Sequence, residues 1–502
     1  MSGIRNRFTQ EVVPISAERR NQSFDDQLAA GARVISLGDD VTQLVFSHLT
    51  LGECIVISHV CAYWRCLALA DPFLWTELKG NAAIAQVLWA RSGVMPVDAT
   101  MMLTEDTITE VLTIIPQNLS RMVGLGVITR AAHSPPLMAW SEVLHILCQS
   151  APLLERLHLE RPDWWMRSPR PPIFPLRFRP SVHAPRLRTL AILNMVITNF
   201  SWLPSTLTSF AYGASGNGRI LLTGPELHAI LQCRSLENLW LSVVAGTISH
   251  AEIFAAGPAS VSLKRLRLGP HWKGAALPLL DYIGHQSLQN IEFYDSLEFR
   301  PSSVLDSFQG HHMVIHPTTA SRGDCNIVVS DSENRTRHIR ATRLRLIAHY
   351  PSLWESLASL TLCGDTDALS DYWYPPVPRL GVLTLFYHRA TAQRTLDPIL
   401  LCKDDVPGGW DCPALHTLVF ALASPSESGP DAQALKPINL PAKAVLRFVT
   451  DVLSSADVIR ILVRGDGWRL TSEYGVLPSS FEIERMAEPI AAIEPDMVFR
   501  GF

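Results

Sequence analysis

The feature that most constrains this chain is a short apolar pattern that recurs along its length. An apolar-x-x-apolar-x-apolar unit, built mostly on leucine, appears as Leu154-Leu157-Leu159, Leu187-Leu190-Ile192, Leu207-Phe210-Tyr212, Leu236-Leu239-Leu241 and Leu263-Leu266-Leu268. It returns as Leu288-Ile291-Phe293, Leu357-Leu360-Leu362, Leu380-Leu383-Leu385 and Leu415-Leu418-Phe420, with weaker copies at Met122-Leu125-Val127 and Val458-Ile461-Val463. Successive starts from Leu154 lie 33, 20, 29, 27 and 25 residues apart, then 69, 23 and 35. The long gap predicts one or two degenerate copies, around Asn326–Val328 and Leu344–Leu346.

The last two apolar positions of each unit alternate with other residues, the period of a strand with one buried face. The first lies three residues back, where the chain turns into the strand and still points inward. Segments between the units can form helices, for example Trp140 to Gln149. One strand and one returning helix cannot bury their apolar faces alone, so copies must stack. The fold class expected is α/β, with an irregular solenoid over residues 81–475. An ordinary α/β domain with leucine-rich strands is the alternative, and nine good copies weigh against it. The pattern resembles divergent leucine-rich repeats that lack the regular asparagine.

Composition agrees with a large folded core. The chain has 502 residues, 47% hydrophobic and 18% charged, with mean hydropathy +0.14, which excludes wholesale disorder. Its 43 basic and 47 acidic residues give net −4, so no global field draws it to nucleic acid or anionic lipid. Nine cysteines are scattered without CxxC spacing, which reads as reduced thiols in a cytoplasmic or nuclear protein. The stretch MSGIRNRFTQEVV has no apolar run, so no secretory signal is expected. The longest nearly charge-free stretch, Leu239–Leu263, is interrupted by Glu252, Pro258 and two glycines, so no membrane span is expected.

Residues 1–34 read as a polar, flexible leader, and 476–502 as a tail or cap. Between leader and repeats, residues 35–80 form a dense helical segment. Asp39 or Asp40 can cap a helix whose Val41, Leu44, Val45 and Leu49 share a stripe. Cys61 and Trp64 share a face of a later helix, and Asp71-Pro72 stops it. So short a unit cannot hide Phe46, Trp64, Phe73, Leu74 and Trp75 together, which leaves some surface for an interface.

Leu37-Gly38-Asp39-Asp40-Val41, Val45-Phe46-Ser47-His48-Leu49, Val60-Cys61-Ala62-Tyr63-Trp64-Arg65 and Asp71-Pro72-Phe73-Leu74-Trp75 together resemble an F-box. Gly38 stands where that family has proline, Glu53 where it often has aspartate, and Cys54 where it often has leucine. The resemblance implies a substrate adaptor that binds a Skp-type adaptor, and through it a cullin ubiquitin ligase. It implies partner contacts from Leu37, Val41, Val45, Phe46, Leu49, Val60, Cys61, Trp64, Leu74 and Trp75. A plain helical cap on the repeats is the alternative for this segment.

Residues flanking the last two apolar positions of each unit should point outward onto the open face of the sheet. Most are small or polar. Trp240 beside Arg265 and Arg267, with Asn290 and Glu292 on the following unit, supplies the residue types of a binding hot spot. Such a face suits an unknown protein substrate carrying an acidic or phosphorylated segment; cover by a loop over Trp240 is the equal alternative. Residues 161–180 hold five arginines, six prolines and two tryptophans; a loop packing over the sheet edge is preferred to a nucleic-acid contact. No enzyme signature, cofactor site or metal site is expected. Gly213-Ala-Ser-Gly216-Asn-Gly218 lacks the P-loop lysine and reads as a turn, and His311, His312 and His316 lack completing ligands.

Overall fold

The computed structural model describes residues 38–80, 82–129, 137–161, 180–197, 199–214, 220–245, 262–270, 272, 276–294, 302–305, 308–317, 324–343, 350–364, 375–387, 410–422, 438–441, 445–446, 448–453, 460–464, 468–471 and 482–486. The chain divides into two compact units at Trp75/Thr76. Among the described residues no helix is long and apolar enough to cross a membrane.

The second unit is a mixed α/β structure built on one open, mostly parallel sheet. Its strands are β1 (Glu77–Gly80), β2 (Val97–Met102), β3 (Met122–Ile128), β4 (Arg156–Glu160), β5 (Thr189–Leu193), β6 (Ser209–Gly213), β7 (Leu221–Leu222) and β8 (Asn238–Ser242). There follow β9 (Val244–Ala245), β10 (Arg265–Leu268), β11 (Asn290–Tyr294), β12 (His312–Pro317), β13 (Asp324–Ser330) and β14 (Thr336–Arg343). The last are β15 (Ser359–Gly364), β16 (Val382–Tyr387), β17 (Thr417–Leu422), β18 (Ile438–Pro441), β19 (Arg460–Arg464), β20 (Trp468–Thr471) and β21 (Glu482–Met486). Seventeen of these form the large sheet; β7 pairs with β9 and β18 with β20 in two small ribbons.

Every strong copy of the repeated pattern lies on a strand of the large sheet, and its first leucine is buried before the strand begins. The register stacks the copies in one row, Leu125–Leu157–Leu190–Phe210–Leu239–Leu266–Ile291. All seven of these side chains are almost wholly buried. Each turn into a strand is tied to the turn before it. The carbonyl of Glu155 accepts N–H bonds from Arg188 and Thr189, that of Arg188 from Thr208 and Ser209, and that of Thr208 from Glu237 and Asn238. Helices precede several strands, including Ile108–Asn118, Leu137–Ile146, Gly224–Leu231 and Pro351–Glu355. Thr223 and Glu226 close a capping box at the start of the third, satisfying donors that a helix end leaves open.

The gap of 69 residues between Leu288 and Leu357 is filled by three strands that do not follow the chain order of the repeat. β14 lies parallel to β11, β13 antiparallel to β14, β12 antiparallel to β13, and β15 parallel to β12. An antiparallel meander is thus inserted in reversed chain order. Asn326–Val328 falls in the antiparallel β13, and Leu344–Leu346 lies outside the described residues. Arg337 of β14 takes the place of a leucine in the buried row, between Ile291 and Val329. Its guanidinium donates to the carbonyls of His285, Leu288 and Thr336 at 3.0–3.2 Å and lies over the Phe308 ring. Burial, with Arg335 nearby, lowers its pKa to about 10, so it stays charged at neutral pH.

Two expected boundaries shift. Residues 77–80 belong to the sheet, because β1 pairs with β2, and the sheet runs past 475 to β21, which pairs with β19. The leader at 1–34 lies outside the described residues. Gly213 closes β6 at φ +144°, with an added Cβ falling 2.1 Å from the Ser242 carbonyl oxygen on the neighbouring strand. Both the backbone angle and the contact exclude other side chains. Gly213→Ala should therefore lower stability by about 2–4 kcal/mol, measured as a shifted denaturant midpoint; an unchanged midpoint would contradict this packing.

Candidate functional site

The described residues of the first unit form three short helices and a turn: α1 (Asp39–Ser47), α2 (Leu51–Ile57), α3 (Ala62–Ala70) and a 3₁₀ turn at Pro72–Trp75. Local chemistry fixes each start. Neither Asp39 nor Asp40 is the N-cap of α1; Gly38 holds that position at φ −59° without a side-chain cap, and both aspartates lie in the first turn, where they favour the helix dipole. Thr50 and Glu53 form a capping box on α2. The Thr50 backbone N–H, then its hydroxyl, holds the Glu53 carboxyl below its usual pKa. This contribution is present above the ordinary carboxylate pKa and is lost as pH falls through the lowered value. Cys61 is the N-cap of α3 rather than a helix-face residue, accepting from the Trp64 N–H at 3.4 Å. It is exposed.

The interior is small. It holds Thr42, Phe46, Cys54, Ser58, Leu67, Ala68, Leu74 and Trp75, with Phe46 edge-on to Trp64 at 5.7 Å. The Trp75 indole N–H donates to the Ala68 carbonyl at 2.8 Å. Phe46, Leu74 and Trp75, expected among the partner contacts, thus form the interior and have little surface to offer. Trp64 and Leu49 are half-buried, and Leu37 lies outside the described residues. Val41, Val45 and Val60 are exposed. So are Leu44 (61%), Val56, Tyr63, Leu69 and Phe73 (64%), which were not among the expected contacts. The stripe Val41, Leu44 and Val45 was legible in the sequence, but it faces solvent; α1 buries Thr42 and Phe46 instead. The second helical stretch likewise leaves much of its apolar surface uncovered.

On the large sheet, the expected outward residues divide into regions. Arg156 and Arg265 are exposed, and His158, Trp240, Arg267 and Asn290 are half-buried. Glu292 is fully buried. Arg267 meets the Glu292 Oε1 through its Nε at 3.1 Å, and the Arg340 Nε contacts the same oxygen. His338 Nδ1 lies 4.0 Å from Oε2. Arg267 sits 4.5 Å over the Trp240 ring, and Arg340 lies 5.8 Å from the Tyr294 centroid. The sheet brings the expected Trp240, Arg265, Arg267, Asn290 and Glu292 onto adjacent strands and adds Tyr294, His338 and Arg340. Sequence reasoning missed these last two because β14 reaches β11 only through the inverted meander.

The face further along was expected to be polar and open, and it is not. Val314, Cys363, Phe386, Val419, Ala421 and Leu462 form a second buried apolar cluster on β12, β15, β16, β17 and β19. Ala191 and Ala211 are buried too. One Cys/His contact does exist, Cys363 Sγ to His316 Nε2 at 3.8 Å. Burial pushes that thiol up to about 12, so it is held protonated and is a poor nucleophile. His312 bonds Ser359 at 2.7 Å. Among the described residues no group of three or more His, Cys, Asp or Glu gathers as a metal site. Of the 161–180 segment, Arg161 is buried near the Trp140 ring, and residues 162–179 lie outside the described residues.

No protein-family model matches the chain, and no curated protein is significantly similar to it. The geometry of the helical unit carries its own test. Trp75→Ala should cost about 3–5 kcal/mol, whereas Leu44→Ser, on the exposed stripe, should stay within about 0.5 kcal/mol of the parent. Denaturant unfolding followed by tryptophan fluorescence separates them; equal effects would mean that Leu44 serves the interior.

Proposed function

We propose that this chain is a non-catalytic substrate-recognition adaptor of a Skp/cullin/F-box ubiquitin ligase. In this reading residues 38–75 are an F-box that binds the Skp-type adaptor, and the tandem strands are a divergent leucine-rich-repeat solenoid that holds a protein substrate. The protein forms no covalent bond itself; it works in the cytoplasm or nucleus by positioning a substrate for ubiquitin transfer. The observation that carries the reading is the distribution of exposed apolar side chains. Of the 12 large hydrophobics exposed among the described residues, 8 lie between Val41 and Phe73. So many exposed apolar side chains on so short a segment are a feature of partner-binding surfaces.

The burial of Phe46, Leu74 and Trp75 favours a second reading, in which the helical unit has no ubiquitin role and the chain is a repeat scaffold for protein–protein interaction. Co-purification with a Skp-type adaptor and cullin separates the two. Leu44→Glu with Val45→Glu, on the exposed stripe, should abolish a stoichiometric complex while the circular dichroism spectrum is unchanged. Failure of the unaltered chain to form any complex would leave the scaffold.

A further inference from the structure

A cavity of about 620 Å³ lies where the chain enters three neighbouring strands of the large sheet, β12, β15 and β16. Its lining comes from the connections before the strands and not from the outward residues of the sheet. Phe308 and Gln309 precede β12, Ser352 and Glu355 lie on the helix Pro351–Glu355 before β15, and Pro378 and Arg379 precede β16. The walls are fixed by the same ties that stack the repeats. The His311 carbonyl accepts N–H bonds from Ala358 and Ser359, and the Ala358 carbonyl accepts from Gly381 and Val382, at 2.9–3.2 Å. The Ser356 hydroxyl, also on the wall, lies 3.0 Å from the Gly310 carbonyl. Gly310 lets the helix sit close, since an added Cβ there would fall 2.8 Å from Leu353 Cδ1. Phe308 is buried, with the Arg337 guanidinium 4.7 Å from its ring centroid. The cavity is thus formed before any ligand arrives, which lowers the ordering cost of binding.

Its charged groups are one of each sign. Glu355 and Arg379 are exposed and come from different connections. Neither enters an ion pair or a side-chain hydrogen bond among the described residues, so each is left able to take a ligand group of the opposite charge. Gln309 and Ser352 add neutral polar groups, and Phe308 and Pro378 add apolar surface.

We propose that this cavity binds a free α-amino acid with an apolar side chain. Arg379 takes the carboxylate through its planar fork, Glu355 takes the ammonium, and Phe308 with Pro378 takes the side chain. A ligand that carries both charges matches both residues. A simple anion would be repelled by Glu355 and a simple cation by Arg379, so the pair selects against each. Pockets of roughly 300–1,000 Å³ suit small molecules of this kind. The ligand spans the connections before β15 and β16, so its binding should raise the unfolding midpoint of the chain. The assignment depends on neither reading of the helical unit.

The test uses the full chain with no adaptor present, so its failure is distinct from failure of the ligase reading. Equilibrium dialysis with radiolabelled L-leucine and L-phenylalanine should show saturable retention of at least one. The corresponding amino-acid amide and N-acetyl amino acid, each lacking one charge, should compete about tenfold more weakly than the free amino acid. Arg379→Gln should erase the preference for the free acid over the amide, and Glu355→Gln the preference for the free acid over the N-acetyl form. Both side chains are exposed, so the circular dichroism spectrum should not change. Where a variant misfolds, the analogue series on the unaltered chain decides. No saturable retention of either amino acid at millimolar concentration overturns the proposal, and so does equal competition by the amide and N-acetyl forms. Variants that keep both preferences of the parent would place binding elsewhere in the chain and overturn it also.

Discussion

The structure of the large unit depends on a tie between successive turns. The carbonyl of one turn accepts two N–H bonds from the next, as at Glu155 with Arg188 and Thr189. This places the leucine row of each strand directly over that of its predecessor. Once the register is fixed, the apolar side chains of neighbouring strands must meet, whatever the length of chain between them. That is why spacings from 20 to 35 residues are tolerated: added residues lie away from the tie, where loop length costs little free energy. A side chain at Gly213 would act at the other end of the strand, where the Ser242 backbone of the following strand lies against it.

The inserted meander shows what happens when the pattern stops. Reversing β12, β13 and β14 brings Arg337 into the leucine row and His338 and Arg340 onto the opposite face. Each buried charge there is matched. Arg337 is held by carbonyl oxygens, and Glu292 is met by the cations of β10 and β14. Removing one partner of such a set leaves an uncompensated buried charge, which is costly. The same set opposes a slip of β14 by one residue, because a slip would move Arg337 to the outward face and His338 into the leucine row. The interruption thus adds matched charges to an apolar row that continues through Met313, Ile315, Ile327, Val329 and Ile339.

Legibility followed the same division. The strands could be placed from Leu154-Leu157-Leu159 and its copies because one inward face imposes a period of two, which survives any change in the loops. The outward face had no comparable constraint. Thr361, Thr384 and Val419 looked like solvated positions, yet they are buried beside Cys363, Phe386 and Leu462. The inverted strands were illegible because Asn326–Val328 alternates in the same way whichever direction the strand runs. In the helical unit the stripe of Val41, Leu44 and Val45 could be seen, but periodicity alone does not say whether a stripe meets the unit's own interior or a partner.

That choice is made by the residues between the stripe positions. Phe46 is one position beyond Val45, on the other side of α1, and its edge-on contact with Trp64 turns the helix so that the valines and Leu44 face out. Trp75 then locks the end of the unit to α3 through Ala68. The helix starts are secured locally, at Thr50–Glu53 and at Cys61, so the exposed apolar residues contribute little to folding. In the helical unit Phe46, Trp64 and Trp75 therefore hold the interior together, while Val41, Leu44 and Val45 of α1 lie on the surface. A surface built this way can change by substitution without loss of the fold, because what it presents is not what it packs with.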